Sequence, residues 1–103
     1  MTGNETRSVG KDQKLSVDAN RSATVAKDDS LQVGKNLSIQ AGDSITIQAT
    51  NSITISVGKS SITAKKDGTI SINGKDISLD GSGKITGKAA GDMVLKGKKI
   101  LQN

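Results

Sequence analysis

Residues 31–48 read LQVGKNLSIQAGDSITIQ. They hold three apolar pairs, Leu31 and Val33, Leu37 and Ile39, Ile45 and Ile47, each split by one polar residue: Gln32, Ser38, Thr46. Alternation at period two puts the apolar pair on one face of an extended strand and the polar residue on the other. Between the pairs lie Gly34, Lys35, Asn36 and then Gly42, Asp43, Ser44, residue types that turn a chain. The stretch therefore reads as strand, corner, strand, corner.

The same period runs outward in both directions. Cut from Gly10, the chain divides into GKDQKLSV, DANRSATV, AKDDSLQV, GKNLSIQA, GDSITIQA, TNSITISV, GKSSITAK, KDGTISIN, GKDISLDG, SGKITGKA and AGDMVLKG. With Thr2–Val9 these make twelve octads and leave a six-residue tail. Early octads carry Leu15 and Val17, Ala23 and Val25 at their ends; later ones carry Ile53 and Ile55 two places earlier, a shift that keeps the face unchanged. Ser16, Thr24 and Thr54 fall on the other face, and the β-branched residues suit such strands. Repetition at a fixed short period marks a stacked architecture.

The period slips once. Ile53 to Ile62 spans nine residues, Ile62 to Ile70 eight, and Ile70 to Ile77 seven. A slip of one inside a strand would reverse every side chain. The extra residue is therefore expected within Gly58–Ser61 and the compensating deletion within Asn73–Asp76, with Ile62 and Ile70 kept on the apolar face. Gly10, Gly34, Gly42, Gly58 and Gly74 open octads, where positive φ or close backbone approach would favour glycine.

An octad of about five strand residues and a three-residue corner fits the side of a prism better than a hairpin meander, because the apolar residues recur on one face. Val9-Gly10, Val33-Gly34 and Val57-Gly58 recur every 24 residues, three octads to a coil. Two architectures remain open on periodicity: a single-chain solenoid, or three chains wound together. The solenoid leaves bare strand edges and a narrow core, whereas intertwined chains share a larger one.

Composition narrows the function classes. Aromatic residues, proline, cysteine and histidine are all absent, which removes the large core anchors, disulfides and the commonest metal and proton-transfer groups. Hydrophobic residues make up 32%, a level compatible with disorder, and the periodicity is what opposes that reading. No run of 18 apolar residues or charged-then-apolar leader is seen. The repeat begins directly after Met1, so residues 1–103 are expected to be one segment of a larger protein.

Charge is uneven. Residues 1–51 hold six basic and six acidic side chains and residues 52–103 nine and four, so all five net positive charges lie in the second half. Lys84, Lys88, Lys96, Lys98 and Lys99 stand against Asp92 alone near the end. Lysine there serves solubility and protects edges, and no aromatic interleaves it for base stacking, so nucleic acid is not the expected partner.

The valine-glycine repeats SVGKDQKLSV and LQVGKNLSIQAGDSITIQ, the later ITAKKDGTISINGKDISLDGSGKI and the closing GDMVLKGKKILQN together resemble the C-terminal needle of valine-glycine repeat protein G, the spike protein of type VI secretion. The resemblance covers essentially the whole chain. It implies an all-β, triangular, intertwined triple-stranded β-helix, a homotrimeric prism similar to phage cell-puncturing needles. It also implies a spike made in the bacterial cytoplasm, exported by the type VI machine without a signal peptide and meeting a target-cell envelope. A conical proline-alanine-alanine-arginine repeat (PAAR) protein or effector cargo would seat at the C-terminal end, where Ile100, Leu101, Gln102 and Asn103 are the positions offered for contact. At about 4.8 Å per step, twelve octads of a trimer would extend roughly 58 Å. The hub and oligonucleotide-fold parts that precede the family's needle are not in this sequence.

No catalytic, cofactor or metal site is expected, and no small-molecule substrate. Gly58-Lys59-Ser60 has Ile53 where a phosphate loop needs glycine, and Gly83-Lys84-Ile85 lacks the closing hydroxyl. Asp12, Asp28, Asp43, Asp67, Asp76 and Asp92 sit at turns, where a carboxylate bonds local backbone. Asp28 with Asp29, or Lys59 with Ser60, would point to opposite faces of a strand and share no cleft. The alternatives to a secretion needle are the central spike of a contractile phage or phage-like particle and a repeat-type surface-binding solenoid.

Overall fold

The computed structural model describes residues 3–103. Among them there is no helix, and the three strands are β1 (Ser52–Val57), β2 (Ser60–Lys65) and β3 (Ile70–Asn73). The regular structure of the described residues is one small antiparallel sheet. Two compact units, Met1–Gln40 and Ala41–Asn103, divide it.

In the first unit the backbone bends at residues 10–11, 18–19, 26–27 and 34–35. Each bend is the opening pair of an octad, so the turn-forming residues sit at corners one period apart. The octad Thr2–Val9 begins outside the described residues. In the second unit bends follow at 42–43 and 50–51, then at 75–76, 82–83, 90–91 and 97–98. Apart from the sheet and its turns, no backbone hydrogen bond forms within the chain among the described residues. The straight segments between bends therefore keep their amide and carbonyl groups free, and such groups pair with some other strand or with water.

The sheet occupies the stretch where the period slips. β1 and β2 pair antiparallel with Ile55 opposite Ile62 and Ile53 opposite Ala64. β2 and β3 pair with Ile62 opposite Ile72 and Ala64 opposite Ile70. Gly58 and Lys59 form the two-residue link, and Gly58 takes φ 53° while among the described residues none other than glycine has positive φ. One positive φ at the first central position is the arrangement of a type II′ hairpin, whose twist matches that of its strands.

The second link is longer. The Gly68 amide donates to the Lys65 carbonyl at 3.0 Å, and the Lys65 amide donates to the Thr69 carbonyl at 3.0 Å. Gly68 at φ 95° follows the turn Lys65–Gly68, as in a three-residue hairpin loop closed by a glycine bulge. At the far end of β1 the Lys66 amide donates to the Asn51 carbonyl at 2.8 Å.

These turns account for the slip. A two-residue reversal pairs an odd-numbered residue with an even one, so apolar positions must change from Ile53 and Ile55 to Ile62 and Ala64. The nine-residue gap is this change of parity. The parity changes at Gly58-Lys59, inside the expected Gly58–Ser61, by a reversal and not by a lengthened corner, and Ile62 and Ile70 share the face of Ile53 and Ile55. The bend at 75–76 lies within Asn73–Asp76 and carries Ile77 back beside Gly74, where a Cβ on that glycine would meet Ile77 Cγ1 at 3.5 Å.

Two expectations are corrected here. Residues 52–73 form a hairpin meander and not successive sides of a prism, because Gly58-Lys59 reverses the strand where an ordinary corner only bends it. Of the five octad-opening glycines only Gly58 has positive φ. Gly10, Gly34 and Gly42 have neither positive φ nor any atom within 4 Å of a built Cβ, since a bend short of reversal lies within ordinary φ. At Gly74 a Cβ would meet its neighbours at ordinary van der Waals distance, Ile77 Cγ1 being nearest at 3.5 Å.

No described residue is buried, so the single chain has no core of its own. Among the described Val, Ile, Leu and Met residues, Ile53 is half-buried and the others are exposed.

Candidate functional site

The sheet separates its residues by face. One side carries Ile53, Ile55 and Val57 from β1, Ile62 and Ala64 from β2, and Ile70 and Ile72 from β3. The other carries rows of small polar residues: Thr54 opposite Thr63 opposite Ser71, and Ser56 opposite Ser61 opposite Asn73. Directly opposed β-branched residues support the pairing on each side. Ile77 extends the apolar side beyond β3, and together with Ile55, Val57, Ile62 and Ile72 it lines an open hollow of about 310 Å³.

Exposure runs against the usual order for a half-buried sheet. Ile62, on the central strand, is 48% exposed, with Ile55 at 59% and Ile72 at 60%. Ser61, Thr63 and Ser71 on the polar side are half-buried. Covering such a face is favourable, each isoleucine contributing about 1.5–3 kcal/mol on full burial. Ser60, Ser61, Asn73, Asp76 and Ser78 also border the hollow.

Asp67 shapes the second turn. Its Oδ1 accepts a 3.0 Å hydrogen bond from the Thr69 amide. That backbone bond, with a second from the Thr69 hydroxyl, holds the Asp67 carboxyl below the usual aspartate value of 3.8. Among the described residues no other aspartate named at a turn accepts such a bond. The signal for this hairpin was Asp67-Gly68 flanked by the alternating runs Ile62–Ala64 and Ile70–Ile72, a dipeptide with turn chemistry of its own that an octad cut passes over.

The C-terminal positions lie outside any strand. Ile100 is 63% exposed and Leu101 89%, and Gln102 and Asn103 are exposed beside them, after the bend at 97–98. Lys59 sits in the first hairpin turn and not in a strand, while Ser60 opens β2 on the isoleucine side. Asp28 and Asp29 follow the bend at 26–27 and are exposed. No family model matches the chain, and no curated protein matches it significantly.

Proposed function

We propose that this chain is a structural needle segment of a type VI secretion spike, acting as a rigid homotrimeric rod. The observation that carries the reading is the pairing of regular corners with an absent core. The chain bends every eight residues over 10–51, aligns its apolar residues on one side of its sheet, and covers none of them fully. A stack of three such chains satisfies both the free backbone groups and the bare side chains.

Stiffness would follow from continuous ladders between chains around a dry isoleucine core, since bending any short stretch would break several hydrogen bonds and open packed layers. The rod would transmit force to a target envelope, seat a PAAR cone protein or effector on Ile100–Asn103, and turn over no substrate. The resemblance of the valine-glycine repeats to valine-glycine repeat protein G supports the secretion reading, and the central spike of a contractile phage or phage-like particle is its alternative. The deciding measurement is mass in solution together with circular dichroism. Three chains with a β spectrum are expected; a folded monomer would exclude the intertwined rod.

A further inference from the structure

Residues 81–103 combine a positive charge excess, which the needle reading does not use, with apolar side chains that the single chain leaves open. Lys84, Lys88, Lys96, Lys98 and Lys99 face one acid, Asp92, so this stretch holds four of the chain's five net positive charges. Among these lysines stand apolar side chains that the chain leaves open: Met93 at 56%, Val94 at 78%, Leu95 at 71%, Ile100 at 63% and Leu101 at 89% exposed. No strand forms here, and the bends at 90–91 and 97–98 divide the stretch into short pieces with free backbone.

We infer that this segment docks on an anionic lipid surface, its ammonium groups on headgroup phosphates and its apolar side chains at the acyl boundary. Cationic charge alone suits any polyanion. The choice comes from the company it keeps: aromatic content is 0%, so nucleic-acid bases find no stacking platform. Exposed Val94, Leu95 and Leu101 gain nothing on a phosphate backbone and gain burial at a bilayer interface. Near such a surface each lysine contributes about a fivefold change in partition. The inference rests on residues 81–103; the proposed rod would cover the core-facing members of this apolar set, and a seated tip protein would compete for Ile100 and Leu101.

The test is co-sedimentation of the 103-residue chain with vesicles of phosphatidylcholine containing phosphatidylglycerol, beside vesicles of phosphatidylcholine alone and duplex DNA. Binding to the anionic vesicles is expected, weakening with added salt as screening sets in. The triple substitution Lys96→Gln, Lys98→Gln, Lys99→Gln is expected to lower it about 100-fold. Leu101→Ser is expected to weaken vesicle binding several-fold and leave any DNA binding unchanged. The salt series on the unaltered protein keeps the test independent of how the variants fold. Equal binding to neutral vesicles, no binding to anionic ones, indifference to the triple substitution, or DNA bound as tightly as vesicles would each overturn the inference.

Discussion

Ile62→Ser and Thr63→Ser change adjacent residues on opposite faces of the central strand, and the proposed assembly orders their effects against single-chain exposure. Thr63 is half-buried and Ile62 48% exposed, so exposure alone ranks Thr63 as the more costly site. In a trimer Ile62 becomes core between Ile55 and Ile72 and those of the other chains. Truncating a core isoleucine costs about 2 kcal/mol at the low end. Across three chains that is about 6 kcal/mol, or roughly 10⁴ in the assembly constant. Thr63→Ser removes one methyl group, worth about 0.8 kcal/mol when fully buried, so at this half-buried site three copies sum to about 1 kcal/mol. Sedimentation equilibrium over a concentration series, with denaturation followed by circular dichroism, reads both. Ile62→Ser should dissociate at far higher concentration than the parent while Thr63→Ser stays close to it. Equal shifts, or a larger one for Thr63→Ser, would refute burial of the isoleucine face between chains.

Further outcomes follow from the turns and the tip. Gly68→Ala should cost about 1–2 kcal/mol, because φ 95° is strained for any residue with a Cβ even in open space. Gly42→Ala, with ordinary φ and nothing within 4 Å, should be neutral or stabilising by about 0.4–1 kcal/mol; unfolding midpoints compare the two. The lowered Asp67 value means its bond to Thr69 stabilises the turn above pH 3.8 and fades as pH falls through the still lower folded-state value. The Thr69 amide resonance should therefore move only in that acidic window, and should not titrate there in Asp67→Ala. Removing Ile100–Asn103 should abolish binding of a cone-shaped tip protein in a pull-down while leaving the sedimented mass per assembly unchanged, apart from the lost residues.

Corners were legible because they depend on local chemistry. Gly34-Lys35 and Gly42-Asp43 announce a bend whatever lies beside them, and bends stand there. The slip was legible too, since the apolar alternation passes from the odd positions Ile53 and Ile55 to the even positions Ile62 and Ile70. Strand direction was not. A nine-residue gap fits a swollen corner or a two-residue reversal equally well, and the choice turns on Gly58 adopting φ 53° followed by a residue of ordinary φ. Asp67-Gly68 held the missing hint, because Asp-Gly between two alternating runs marks a reversal where the octad cut expects a bend. For Ile100–Asn103 no pattern in the chain speaks to a contact, and the resemblance alone nominated them.

The irregular spacing around the meander matters most to chains that must align. Near-identical octads can be displaced by one whole repeat with little penalty beyond an unpaired layer at each end, so the regular stretches define phase poorly. Gaps of nine, eight and seven between Ile53, Ile62, Ile70 and Ile77 coincide with themselves in one alignment only. In the proposed rod, the hairpins at 52–73 would serve as the index mark by which three identical strands find the same starting line.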